Sequence, residues 1–159
     1  MRTPDAVTVT TLVEVSPAEA FALFTEDVDM WWRKEPRYRF DPERQGTLRF
    51  EPGVGGRFVE VYADACEHEL GRISVWEPGA RLVFGFRPPD FAPGETTEVE
   101  IRFENEGEKT RVTLEHRGWD AFAPDHPAKK DLEGPAFGAM IGAYWTPLLL
   151  QYQVRSRSV

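Results

Sequence analysis

Two neighbouring stretches, residues 98–104 and 110–116, constrain the fold of this chain more than any other feature. In the first, Val99, Ile101 and Phe103 alternate with Glu98, Glu100, Arg102 and Glu104. In the second, Val112, Leu114 and His116 alternate with Arg111, Thr113 and Glu115. Successive side chains of a β-strand point to opposite faces, so each stretch has one apolar and one wet face. The polar link Asn105-Glu106-Gly107-Glu108-Lys109 carries a glycine that can take a positive φ. The pair reads as an antiparallel hairpin in a sheet that needs a cover on one side only. His116 interrupts the apolar side.

The remaining segments predict the sheet's other strands and its cover. Alternating Val7, Val9, Val13 and Val15 give a first strand over residues 7–15. Ser16-Pro17-Ala18-Glu19 is a helix start, with a capping serine, a proline suited to the first turn and a glutamate that completes a capping box. A second helical turn is predicted over 27–32, limited by Pro36, with a loop over 33–45. Further strands fit 47–51, 57–62, 69–76 and 82–87, and a Pro-rich loop follows over 88–94. From Ala136 the apolar residues take a helical rhythm: Phe137, Met140, Ile141, Tyr144, Trp145, Leu148, Leu149 and Tyr152. Pro147 is expected to kink this helix or remove one backbone bond. One apolar sheet face and one long amphipathic helix belong together. The predicted fold is α+β: a curved antiparallel sheet of about seven strands around a long C-terminal helix, with two short helices after the first strand. Residues 1–159 form one domain.

Charge and cysteine use narrow the function classes. Nineteen basic against 27 acidic side chains give a net charge of −8, which repels phosphate backbones and argues against nucleic acid as a partner. The single cysteine, Cys66, allows no internal disulfide, so a cytoplasmic location is expected. Neither an apolar signal run nor a stretch of about 18 apolar residues occurs, so no membrane span is predicted. Cys66-Glu67-His68 has no second pair at ligand spacing, so no metal and no cofactor is implied. Gly53-Val54-Gly55-Gly56 lies between two strands and reads as a turn, not a nucleotide loop.

Several phrases in this order resemble the START-like helix-grip superfamily, also called SRPBCC. They are Ser16-Pro17-Ala18-Glu19-Ala20-Phe21, Gly55-Gly56-Arg57-Phe58, Gly71-Arg72-Ile73-Ser74-Val75-Trp76-Glu77-Pro78, Arg81-Leu82-Val83-Phe84, Val112-Thr113-Leu114-Glu115-His116 and Tyr144-Trp145-Thr146-Pro147-Leu148. More narrowly, the chain looks like the bacterial relatives of the activator of the heat-shock-protein-90 ATPase. The resemblance implies the helix-grip fold. It leaves three classes of activity open: binding of apolar molecules, cyclase- or dehydratase-like catalysis, and binding of other proteins.

The leading expectation is a small hydrophobic or amphipathic ligand held between the sheet and the terminal helix. The expected walls are Phe84, Phe86, Val99, Ile101, Phe103, Leu114, Met140, Ile141, Tyr144 and Trp145, with His116 orienting a polar group of the ligand. Trp31 and Trp32 cannot face the same way on one helical turn; one packs on the sheet and the other caps the mouth or lies on the surface. Trp119, with Phe91 and Phe122, closes the entrance or forms a small core of its own. The locally basic run Arg33-Lys34-Glu35-Pro36-Arg37-Tyr38-Arg39-Phe40 holds an anionic head group or is a solvated face. A catalytic alternative gives His116 an acid–base role, joined by Glu60 if the two converge. Glu60 has apolar neighbours on both faces of its strand, so its parity is undecided. A third reading is a protein-interaction, co-chaperone-like module, and a homodimer is possible through uncovered edge strands.

Overall fold

The computed structural model describes residues 5–41, 43–87 and 91–158. Pro42 of the predicted 33–45 loop and the first three residues of the predicted 88–94 loop lie outside them. The elements run β1 (Ala6–Val13), α1 (Pro17–Glu26), α2 (Val28–Trp31), β2 (Thr47–Phe50), β3 (Arg57–Val61), β4 (Glu67–Glu77), β5 (Arg81–Phe86), β6 (Thr97–Glu106), β7 (Lys109–Arg117) and α3 (Gly134–Ser156). The seven strands form one sheet in the order β1-β7-β6-β5-β4-β3-β2, and every pairing is antiparallel.

Local chemistry explains where the elements begin. The Ser16 hydroxyl accepts from the Glu19 N–H, and the Glu19 carboxylate accepts from the Ser16 N–H, so the predicted capping box starts α1. β1 ends at Val13, two residues before its predicted end. Val15 is still buried, and its carbonyl accepts from the Thr110 hydroxyl at 2.7 Å.

Two one-residue insertions in β4 bend the sheet around α3. Leu70 has no counterpart on β3, where Phe58 opposes Gly71 and Val59 opposes Glu69. Ser74 has none on β5, where Ile73 opposes Phe84 and Val75 opposes Val83. Each bulge raises the local twist and resets the side-chain parity. Leu70, Ile73 and Trp76, three residues apart, therefore all contribute to the core.

The enclosed layer is dominated by rings. Phe24, Phe58, Phe84, Phe137, Trp119, Trp145 and Tyr152 are almost completely buried. Phe50 stacks on Phe58 with centroids 4.2 Å apart, and Trp32 meets Trp145 edge-on at 5.6 Å. Full burial of one such side chain contributes roughly 1.5–3 kcal/mol, so this layer is the main source of stability. The wet face carries ion pairs instead: Glu100 of β6 is bonded by both Arg81 of β5 and Arg117 of β7.

Candidate functional site

A strap, residues 32–41 and 43–46, lies over the open end of the grip and creates the polar part of the interior. It leaves α2 at Trp32, whose backbone is already extended; contrary to the expected divergence, neither tryptophan lies on the surface, and the two buried rings stand 5.6 Å apart. Trp31 packs on Phe24 and Tyr152 and donates its indole N–H to the Leu23 carbonyl. Trp32 turns toward Phe58, Phe86 and Trp145, and its N–H holds the Tyr38 carbonyl at 2.8 Å. Farther along, Tyr38 lies against Tyr144 of α3 with centroids 4.9 Å apart.

Pro147 supplies the strap's latch. The helix runs through it without interruption, but proline has no N–H to give the carbonyl four residues earlier. That carbonyl belongs to Ala143, and it accepts from Arg37 Nη2 at 3.2 Å. The Arg37 guanidinium also sits over the Tyr38 ring at 4.8 Å and the Tyr144 ring at 5.9 Å. A helix defect has become the docking point of a loop.

Beneath the strap lies a void of about 20 Å³, lined by Trp32, Arg37, Tyr38, Arg39, Phe40, Leu48, Glu60, Leu70, Phe86 and Tyr144. That volume holds about one water molecule. Its polar wall is a buried ion pair. Arg39 Nη1 lies 3.3 Å from Glu60 Oε2, and both side chains are essentially sealed from solvent. Glu60 also accepts from the Gly46 N–H at 3.0 Å and from the Tyr62 hydroxyl at 3.3 Å. Burial and the neighbouring Glu60 carboxylate push the Tyr62 phenol up to about 12. Burial likewise raises the Tyr144 phenol well above its ordinary value.

Of the residues expected to line a ligand site, Trp32, Phe86 and Tyr144 meet at this void. Phe84, Val99, Ile101, Phe103, Leu114 and Trp145 are buried behind it, within the core, and Ile141 is nearly so. Met140 packs on that core from a partly exposed position. Trp119 sits against His116 and Phe137, and Phe91 and Phe122 pack beside it, forming a small aromatic cluster with His126. These loop aromatics do not line the void.

His116 points inward, as its parity requires, and is occupied at both nitrogens. Trp145 Nε1 donates to Nδ1 at 3.0 Å, which leaves the proton on Nε2 to meet Thr97 Oγ1 at 2.7 Å. Thr97 in turn donates to the Phe86 carbonyl at 2.8 Å. Burial alone lowers the His116 pKa to about 3, so the ring is neutral near pH 7. Glu60 is inside as well, but its hydrogen bonds are to Arg39, Gly46 and Tyr62, and His116 does not line the void that Glu60 borders. The two groups do not converge on a shared space.

Sequence reasoning assigned the strap residues Arg37, Tyr38, Arg39 and Phe40 only loosely, and it missed Leu48 and Leu70. A signal was present: Arg39 and Glu60 each sit directly among aromatic or apolar residues, where a charge has to find a partner. A second depression, of about 670 Å³, crosses the outer face of β4–β7. Its lining includes Gly71 and Gly85 together with the charged Arg72, Arg87, Glu98 and Arg117. Among the described residues, no cluster of three or more His, Cys, Asp or Glu can hold a metal ion, and no helix is long and apolar enough to cross a membrane.

Solved structures share this architecture from end to end. CalC of Micromonospora echinospora, described as a self-sacrificing resistance protein, is 25% identical with a TM-score of 0.65, over 96% of this chain and 94% of that one. The Aha1 dimer of Colwellia psychrerythraea is 14% identical with a TM-score of 0.61, over 93% and 92%. An HSP90 activator of Plasmodium falciparum is 16% identical with a TM-score of 0.61, over 95% of each chain. No curated protein matches the chain. The family described as Activator of Hsp90 ATPase homolog 1-like protein matches residues 14–133, three quarters of the sequence, and the chain belongs to that family.

Proposed function

We propose that this domain binds a small apolar or amphipathic molecule in the gap between the sheet and α3, admitted beneath the strap where Tyr38 meets Tyr144. One observation carries the reading: an aromatic wall, a void and a buried hydrogen-bond donor coincide at a single point. Arg39 lines the void, and its Nη2 has no hydrogen-bond acceptor among the described residues. Small-molecule sites combine apolar walls with a few placed polar groups in this way. Because the void is one water in size, a ligand enters only when the strap lifts and the Tyr144 ring turns aside. Tyr144→Ala should enlarge the space and strengthen binding of small hydrophobic compounds, read by native mass spectrometry and by Trp32 fluorescence. If neither the wild type nor Tyr144→Ala retains any small molecule from a broad hydrophobic set, the reading fails.

The outer groove favours a second reading, as a protein-binding module of the kind its family's name describes. Its large volume and charged lining residues suit an extended segment of a partner better than an apolar small molecule. Titrating Hsp90 into labelled protein should shift resonances of residues 69–74 and 94–98, and Arg87→Glu should weaken that binding about tenfold or more. Unmoved resonances would remove this reading. The edge strand β1, whose Leu12 carbonyl accepts from Gln153 of α3 at 2.9 Å, together with exposed Leu12, Leu150 and Val154, is the face we assign to a homodimer. Light scattering across a concentration series tests it, and a constant monomer mass rejects it.

A further inference from the structure

The polar side of the same mouth identifies the chemistry of the molecule that fits it; this inference rests on the reading above. Arg39 makes most of its possible bonds. Its Nε donates to the Arg33 carbonyl at 3.2 Å, and its Nη1 donates to the Gly46 carbonyl at 3.2 Å and to Glu60. Among the described residues, the remaining nitrogen, Nη2, has only Asp29 Oδ1 at 3.6 Å, an ion-pair distance too long for a hydrogen bond. A side chain 1% exposed that lines the void thus keeps N–H groups with no hydrogen-bond acceptor.

The charge of Arg39 itself is already compensated. Arg39 faces Glu60 at 0% exposure, and Asp29 is paired with Lys34 at 3.6 Å and accepts from the Leu48 N–H. A ligand carboxylate at Nη2 would join two protein carboxylates around one guanidinium, in surroundings where like charges are weakly screened. A ligand ammonium would face Arg39 itself and the Arg37 guanidinium above the Tyr38 ring. An uncharged acceptor oxygen satisfies the free N–H groups without adding charge. A hydroxyl would also bring a donor, and three of the roughly four acceptor positions of Glu60 are already engaged, by Arg39, Gly46 and Tyr62.

We propose that the mouth selects a neutral molecule bearing a carbonyl oxygen, of the ketone, amide or quinone type. The carbonyl accepts from Arg39 Nη2, and the apolar part replaces the Tyr38 and Tyr144 rings against Trp32, Leu70 and Phe86. The site built for a hydrogen bond discriminates against ligands that cannot make it, because a buried donor is then left unpaired.

The test compares 2-octanone, octanoate and octylammonium, which share a chain and differ in the head group. Binding is measured by titration calorimetry and tryptophan fluorescence on the wild type and on Tyr144→Ala. Octanone is expected to bind about tenfold more tightly than either charged analogue, and Arg39→Lys should erase that preference while leaving chain-dependent binding. Equal affinities for all three, or a preference for octanoate, would overturn the carbonyl assignment while leaving a small-molecule site intact. Binding of none by either protein would overturn the site itself. Should Arg39→Lys fail to fold, the three-probe comparison on the wild type decides.

Discussion

At the scale of single residues, the interior polar groups divide by whether their hydrogen bonds are complete. His116 is complete: it joins α3 to β6 and β7 through Trp145 and Thr97. Its pKa near 3 in the folded protein, against an ordinary 6.5, has a definite consequence for stability. Between those values the unfolded chain binds a proton that the folded chain refuses, so stability is retained above about pH 6.5 and falls as the pH drops below it. The slope from this one group approaches about 1.4 kcal/mol per pH unit. Urea unfolding at pH 7, 6 and 5 should show that dependence, and His116→Gln should flatten it by that amount; an unchanged slope would show the ring is protonated when buried. Arg39 and Glu60 carry the complementary expectation. Removing one member of a buried ion pair strands the other, so Glu60→Ala should cost about 3–5 kcal/mol. Arg39→Met with Glu60→Leu should cost less than the sum of the single changes. A loss under about 1 kcal/mol for Glu60→Ala would mean that the pair is not coupled.

Among the elements, β4 and α3 are those whose irregularities shape the mouth. A methyl group at Gly71 would stand 1.6 Å from the Gly85 carbonyl oxygen, a backbone atom that cannot step aside. At Gly85 the nearest atom to such a methyl is the Thr96 hydroxyl, at 3.1 Å, and it belongs to a side chain that can rotate. Gly71→Ala should therefore destabilise the fold by several kcal/mol, on the order of other overpacking changes, and Gly85→Ala by about 1 kcal/mol or less. Thermal melts of the two variants check this, and equal losses would refute the close approach of the strands. In α3, Pro147→Ala restores an N–H for the Ala143 carbonyl and removes an interior proline, which costs a helix up to about 3 kcal/mol. The variant should unfold at higher temperature while its strap opens more often, because Arg37 then shares its acceptor. Faster hydrogen exchange over residues 33–40, despite a more stable helix, is the expected signature. Unchanged exchange there would show that the latch does not hold the strap.

For the whole molecule, much of the fold could be read in the order of its residues, because period-2 alternation and helical spacing are local properties. The hairpin at 98–116, the Ser16 capping box and the terminal helix all stand where their patterns place them. His116 facing the helix followed from the same parity. Less of the candidate site was legible: Trp32, Phe86 and Tyr144, named as ligand neighbours, line the void, whereas the 33–40 run was read as a holder of an anionic head group or a solvated face and not as a strap with a buried ion pair. Residues 33–46 have no periodicity, so nothing local says that Arg37 will find a carbonyl 106 positions away or that Arg39 will find Glu60. By itself, then, the sequence determined that a one-sided sheet would wrap an amphipathic helix, since an apolar face must be buried. Only the tertiary structure decided how much space that burial leaves and which donor remains unused, because these depend on distances between segments far apart in the chain.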